Sequence, residues 1–145
     1  MSSNSYGIAQ CGFRGCNIDN IGFIPAVRDA LELAQNRNNT VFVFTAGNEG
    51  MNEGSPNFRS SGSTPRVMIV GATRINGTRA SYSNVGAANW IVAPAGDHNE
   101  NVTWTSSVTA AGQQCGQVGV GTSWAAPMVS GAAAILRSVR LYYYP

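Results

Sequence analysis

The sequence predicts an α/β fold, three layers deep, built around a mainly parallel sheet. Three observations carry that expectation: uninterrupted apolar runs at Val41–Thr45, Val67–Val70 and Trp90–Ala93, helical patterns before and after them, and few charges. An apolar run without polar alternation marks a strand covered on both faces. Such strands, alternating with helices, arrange as a parallel sheet between helical layers.

From the N-terminus, residues 1–8 read as a short extended segment, and a loop rich in glycine and cysteine continues to about residue 20. Ile24 to Arg37 reads as an amphipathic helix. Pro25 stands in its first turn, where a missing N–H costs nothing, and Val27, Ala30, Leu31 and Ala34 share one face. Asp29 and Glu32 take the wet face, and Asn36–Asn39 ends the helix. Val41–Thr45 is then the first buried strand. A polar loop punctuated by Gly54, Pro56, Gly62 and Pro65 leads to the second, Val67–Val70, and Trp90–Ala93 is the third, stopped by Pro94. A helix rich in alanine and valine, from about Ser123 to Arg140, closes the series.

At 145 residues the chain has the size of one domain. Apolar residues make up 43% and charged residues 11%, which excludes a disordered or solvated tail. The nine basic residues are all arginines, scattered from Arg14 to Arg140, so no concentrated basic face offers itself to nucleic acid. No apolar run approaches the roughly 20 residues of a membrane span. The start, Met1 to Tyr6, lacks the apolar core of a signal peptide.

Cys11 and Cys16 bracket four residues and can close a local disulfide or remain thiols, with Cys115 left over. A zinc site from Cys11, Cys16, Cys115 and His98 is the weaker alternative, because the spacing is loose. Asn38, Asn76 and Asn101 each head an Asn-x-Thr triplet, which carries meaning in a eukaryotic secretory context.

Two segments carry chemistry. Thr45-Ala-Gly-Asn-Glu-Gly50 directly follows a buried strand, and ligand-handling groups in open α/β sheets collect at the carboxyl ends of strands. Gly121-Thr-Ser-Trp-Ala-Ala-Pro127 opens the last helix. Thr122 can cap that helix, and Ser123 then sits on the first turn, where free amides and the helix dipole favour negative charge. A serine there suits acyl transfer, because its own N–H can donate to the oxyanion of a tetrahedral intermediate. Pro127, one turn on, cannot donate to the Ser123 carbonyl.

GTSWAAPMVSGAAAIL, residues 121–136, resembles the serine signature of the subtilases, and VFVFTAGNEG, residues 41–50, resembles their strand and loop bearing the oxyanion asparagine. VMIVGAT, RASYSNVG and WIVAPAG follow in that family's order, and the resemblance runs through residues 1–138. It implies a subtilisin-like fold, with residues 1–145 forming part of the catalytic domain and its N-terminal part absent. It implies a serine endopeptidase acting on polypeptide substrates through an acyl-enzyme. Position by position, Ser123 matches the nucleophile and Asn48 the oxyanion donor. Ser5, Tyr6 and Gly7 match one side of the substrate cleft, and Thr45, Ala46 and Gly47 the wall of the first specificity pocket. Trp124, just after the nucleophile, would crowd the leaving-group side.

The mechanism also needs a histidine to take the serine proton and an aspartate to orient it. In the family both precede the segment that begins this chain. The single histidine, His98, falls between Asn48 and Ser123 on a polar loop, and Asp19, Asp29 and Asp97 match nothing catalytic. The expected partner is therefore the missing N-terminal half of the same domain, and these residues alone are expected to be inactive, with an open sheet edge.

A non-catalytic subtilase-like fragment or binding module is the alternative. Nucleotide binding is disfavoured, since the chain has no lysine for a P-loop and Trp124 stands where a dinucleotide fingerprint needs a small residue. The resemblance further implies export, either secreted or at a cell surface. It allows calcium, although no Asp/Glu cluster with ligand spacing is present, and Asp97 and Glu100 read as a solvated loop.

Overall fold

The computed structural model describes residues 1–5, 25–58, 67–100, 103–108 and 114–140. Expectations attached to Tyr6, Gly7, Cys11 and Cys16 lie outside these residues. In chain order the elements are β1 (Ser2–Asn4), α1 (Pro25–Asn38), β2 (Phe42–Thr45), β3 (Val67–Thr73), β4 (Asn89–Pro94), β5 (Thr103–Val108), β6 (Gln114–Gly119) and α2 (Thr122–Arg140). Single 3₁₀ turns occupy Gly50–Asn52 and Pro56–Phe58.

The first four strands make one parallel sheet in the order β1-β2-β3-β4. Its register pairs Val43 with Met68, Phe44 with Ile69 and Thr45 with Val70. Side chains alternate across a strand, so this register sorts the apolar residues onto two faces. Val43, Val70, Ala72 and Ala93 pack with Ala125, Ala126 and Val129 of α2. Phe44, Ala46, Val67 and Ile69 form a second cluster on the opposite face. A sheet apolar on both sides is the middle layer that the sequence predicts, and each fully buried valine contributes roughly 1.5–3 kcal/mol.

Three local expectations need correction. Trp90, Ile91 and Val92 do lie on a strand, but they are 69%, 47% and 53% exposed, because β4 is the edge of the sheet. On α1, Ala30 is exposed while Gln35 is buried, so the wet and dry faces are not divided as the periodicity suggests. The antiparallel hairpin of β5 and β6, with Thr103 opposite Gly119, has no counterpart in the sequence reading.

Asp97 also departs from expectation. It is 3% exposed rather than solvated. Its carboxylate accepts from the Ser81 hydroxyl (2.6 Å), the Ser81 amide (2.8 Å), the His98 amide (2.8 Å) and Arg74 Nε (2.7 Å). Burial pushes its pKa up, but the two Ser81 bonds, the His98 amide and the Arg74 guanidinium outweigh burial and hold it well below the usual carboxylate range. The cluster joins β3, the following turn and the exit of β4, a convergence made by the crossover rather than by local sequence.

An unfolded aspartate titrates near ~3.9, so the stabilisation from Asp97 is complete above about pH 5 and is lost as pH falls below about 4. Urea midpoints should therefore drop steeply from pH 5 to pH 3. Asp97→Asn should cost about 2 kcal/mol at pH 7 and flatten that drop.

Candidate active site

The first amides of a helix have no intrahelical acceptor, so each needs a partner from elsewhere. Gly121, with φ +139°, makes the turn into α2, a conformation open to glycine. Its N–H donates to the Tyr82 hydroxyl at 2.9 Å. The Thr122 N–H donates to Asn48 Oδ1 at 2.9 Å, and the Trp124 N–H to the Gly121 carbonyl at 3.0 Å. Among the described residues, the Ser123 N–H meets no acceptor.

The Thr122 hydroxyl also donates to Asn48 Oδ1, at 2.8 Å. Thr122 is therefore not the cap that the sequence suggests; the cap is the Asn48 carboxamide oxygen, from a residue 74 positions earlier. With Oδ1 so engaged, Nδ2 is the end of Asn48 left to donate. A Cβ at Gly121 would stand 3.5 Å from Asn48 Nδ2 and 3.9 Å from Ser123 N, so both donors border one small space. Asn48 lies exposed beyond β2, while Thr45, Ala46 and Gly47 beneath it are buried.

Ser5 follows β1 and donates from its hydroxyl to the Ser123 carbonyl at 3.2 Å. That carbonyl has no intrahelical donor, because Pro127 stands one turn along with no N–H. The sequence reading treats Ser5 as cleft wall and misses this bond. Its signal was present, in a proline four residues after a serine at a helix start.

Trp124 packs against Gly119 at the end of β6, where a Cβ would come within 2.4 Å of the indole Nε1. The structure thus brings Ser5, Asn48 and Ser123 together. His98 packs edge-on to Tyr82, with ring centroids 5.8 Å apart and an interplanar angle of 75°. Among the described residues no three His, Cys, Asp or Glu side chains gather in one place.

Comparison with known proteins gives a consistent result. The model of the subtilase family matches residues 1–145. Subtilisin BL of Lederbergia lenta is 33% identical over 138 residues, covering 94% of this chain and 48% of the relative. The extracellular basic protease of Dichelobacter nodosus is 40% identical over 100 residues, covering 68% of this chain and 15% of the relative. The serine protease of Aeromonas sobria, solved with its chaperone, superposes with a TM-score of 0.77 at 19% identity over 94% of this chain and 30% of that one. The chain spans about half the length of the subtilisin it matches.

Asn48→Ala leaves the Thr122 amide and hydroxyl without their acceptor and should cost about 1–2 kcal/mol in urea unfolding. Asn48→Asp keeps an acceptor oxygen and adds negative charge at a helix N-terminus, so its stability should equal or exceed wild type. Equal losses in the two variants would show that the oxygen does not cap α2.

Proposed function

The chain belongs to the subtilase family, and on that premise we propose that it forms the nucleophile-bearing half of a subtilisin-type serine endopeptidase. Ser123 attacks the scissile carbonyl of a polypeptide and forms the acyl-enzyme. Its own N–H and Asn48 Nδ2 receive the oxyanion of the tetrahedral intermediate. The observation that carries this reading is the pair of unspent donors over Gly121, at the positive end of α2. Ser5 lines one wall of the substrate cleft, and Thr45, Ala46 and Gly47 line the first specificity pocket.

Among the described residues no His, Asp or Glu side chain is hydrogen-bonded to Ser123 as a general base would be. The one histidine of the sequence faces Tyr82. The Asp and His of the triad come instead from the other half of the domain, docked beside β1, whose only strand neighbour among the described residues is β2. Acting alone, these residues have no useful turnover. In subtilisin itself, loss of the histidine costs roughly 10⁶-fold, about as much as loss of the whole triad. Export, to the medium or the cell surface, is proposed from the relative named as extracellular. No helix of the described residues is long and apolar enough to cross a membrane.

The test is fluorophosphonate labelling and peptide hydrolysis, with the chain alone and co-refolded with a fragment supplying the first half of a subtilisin domain. The chain alone should remain unlabelled, and the assembled domain should label at Ser123 and lose both readouts in Ser123→Ala. In that domain Asn48→Asp should fold normally yet lose about 10²–10³ in kcat, the loss that removing the oxyanion asparagine donor causes in subtilisin. Turnover by the isolated chain that vanishes in Ser123→Ala would overturn the dependence on the other half. An assembled domain whose activity survives Ser123→Ala would overturn the role of Ser123.

A further inference from the structure

The two loops that meet at Ser123 are both tied to one short segment, residues 80–84, to which neither the sequence reading nor the proposed reaction gives a role. Tyr82 lies at its centre and is 4% exposed. Its hydroxyl donates to the Gly96 carbonyl at 2.7 Å and accepts from the Gly121 N–H at 2.9 Å. Its own carbonyl accepts from the Gly50 N–H at 2.8 Å. One residue therefore holds the turn before Ser123 through its side chain and the loop after Asn48 through its backbone.

Neighbouring bonds make the attachment stiff. The Asn84 N–H donates to the Gly47 carbonyl at 3.2 Å, and Asn84 Nδ2 to the Ala46 carbonyl at 2.9 Å. Asn48 is thus clamped on both sides, through Gly47 and Gly50. The fit is close, since a Cβ on Gly50 would come within 2.3 Å of the Ser83 carbonyl oxygen. The segment is fixed in turn: the Ala72 N–H donates to Ser83 Oγ at 2.9 Å, and Ser81 is held by Asp97.

We propose that Tyr82 is a positioning residue, whose phenol sets the Gly121 turn and so fixes the Ser123 amide against the Asn48 carboxamide. The inference rests on the reading of those two groups as the oxyanion site, and it assigns Tyr82 no contact with substrate. Burial raises the phenol pKa, which keeps the hydroxyl protonated and able to donate to Gly96 while accepting from Gly121. Phenylalanine would keep the ring and its packing but leave the Gly121 N–H and the Gly96 carbonyl without this partner. Buried amides left unpaired are costly, and here the cost falls on the turn that orients the nucleophile.

The experiment is amide hydrogen exchange and ¹⁵N-resolved NMR on the full 145-residue chain, wild type and Tyr82→Phe. Gly121 should exchange about 10–100 times faster in the variant, a local opening of the turn. The Ser123 amide and the Asn48 side-chain amide should shift, while Val70 and Ala72 in β3 keep their protection. A purely structural role would lower protection throughout. Unchanged Gly121 exchange, or Ser123 and Asn48 resonances that do not move, would overturn the proposal. Should Tyr82→Phe fail to fold, the wild-type chain still decides: Gly121 must be protected at least tenfold over Gly77 in its exposed turn, and equal exchange overturns the clamp. None of these readouts requires catalysis, so failure of Ser123 to label in the assembled domain would count against the proposed function alone.

Discussion

Everything at this site depends on how the bare amides at the start of α2 are satisfied. An α-helix exposes unpaired N–H groups at its N-terminus, and burying that end without partners is prohibitively expensive. Here two distant side chains and one local carbonyl take the amides on either side of Ser123. Tyr82 takes Gly121, Asn48 takes Thr122, and the Gly121 carbonyl takes Trp124. Among the described residues, the amide of the serine is the one passed over. A donor is thereby held ready without the protein spending it, and the same bonds that leave it free hold Asn48 in place.

The parallel sheet explains why these partners can reach. All strands of a parallel sheet point the same way, so the segments leaving their carboxyl ends gather along one edge. Ser5 leaves β1, Asn48 leaves β2, and the register that sets Asn4 beside Phe44 brings both exits to the mouth of α2. The crossover from β3 to β4 carries Tyr82 to the same place from the far side. Pro127 fits this geometry. It withdraws the i+4 donor from the Ser123 carbonyl, and the hydroxyl of Ser5, just after β1, fills the vacancy. Disturbing the helix beside the serine thus creates an attachment point between helix and sheet.

Much of this was legible in the sequence, for a clear reason. Val41–Thr45 and Val67–Val70 are apolar throughout, and strands buried on both faces must be so. α2 was legible from its composition, and Ser123 and Asn48 from motifs that fix backbone as well as chemistry. What escaped was decided by tertiary contact. The hairpin at Thr103–Val108 and Gln114–Gly119 has no continuous apolar run to mark it as the other strands are marked, and Gly116 and Gly119 weaken the pattern of its second strand. Asp97 looked solvated because its cation stands 23 residues away, on the far side of a crossover. Tyr82 drew no reading of its own, since nothing local announces that a phenol hydroxyl will meet a helix amide 39 residues later.

The exposed apolar surface points in the same direction as the coverage of the relatives. Ile135, Leu136 and Val139 on the second half of α2 are 66%, 66% and 64% exposed, and Trp90 at the sheet edge is 69% exposed. Isolated exposed apolar residues need no explanation, but an apolar run near the end of a central helix together with an apolar sheet edge is more than a self-contained domain usually leaves uncovered. The division of labour follows from the chemistry. Oxyanion donors are mostly backbone amides, which a helix start and a loop can fix within one half of a fold. A general base must instead meet the serine hydroxyl across the cleft, on an element that approaches from the other side. On the proposed function, α2 and the loop after β2 supply the oxyanion donors, and the proton acceptor belongs to an element across the cleft.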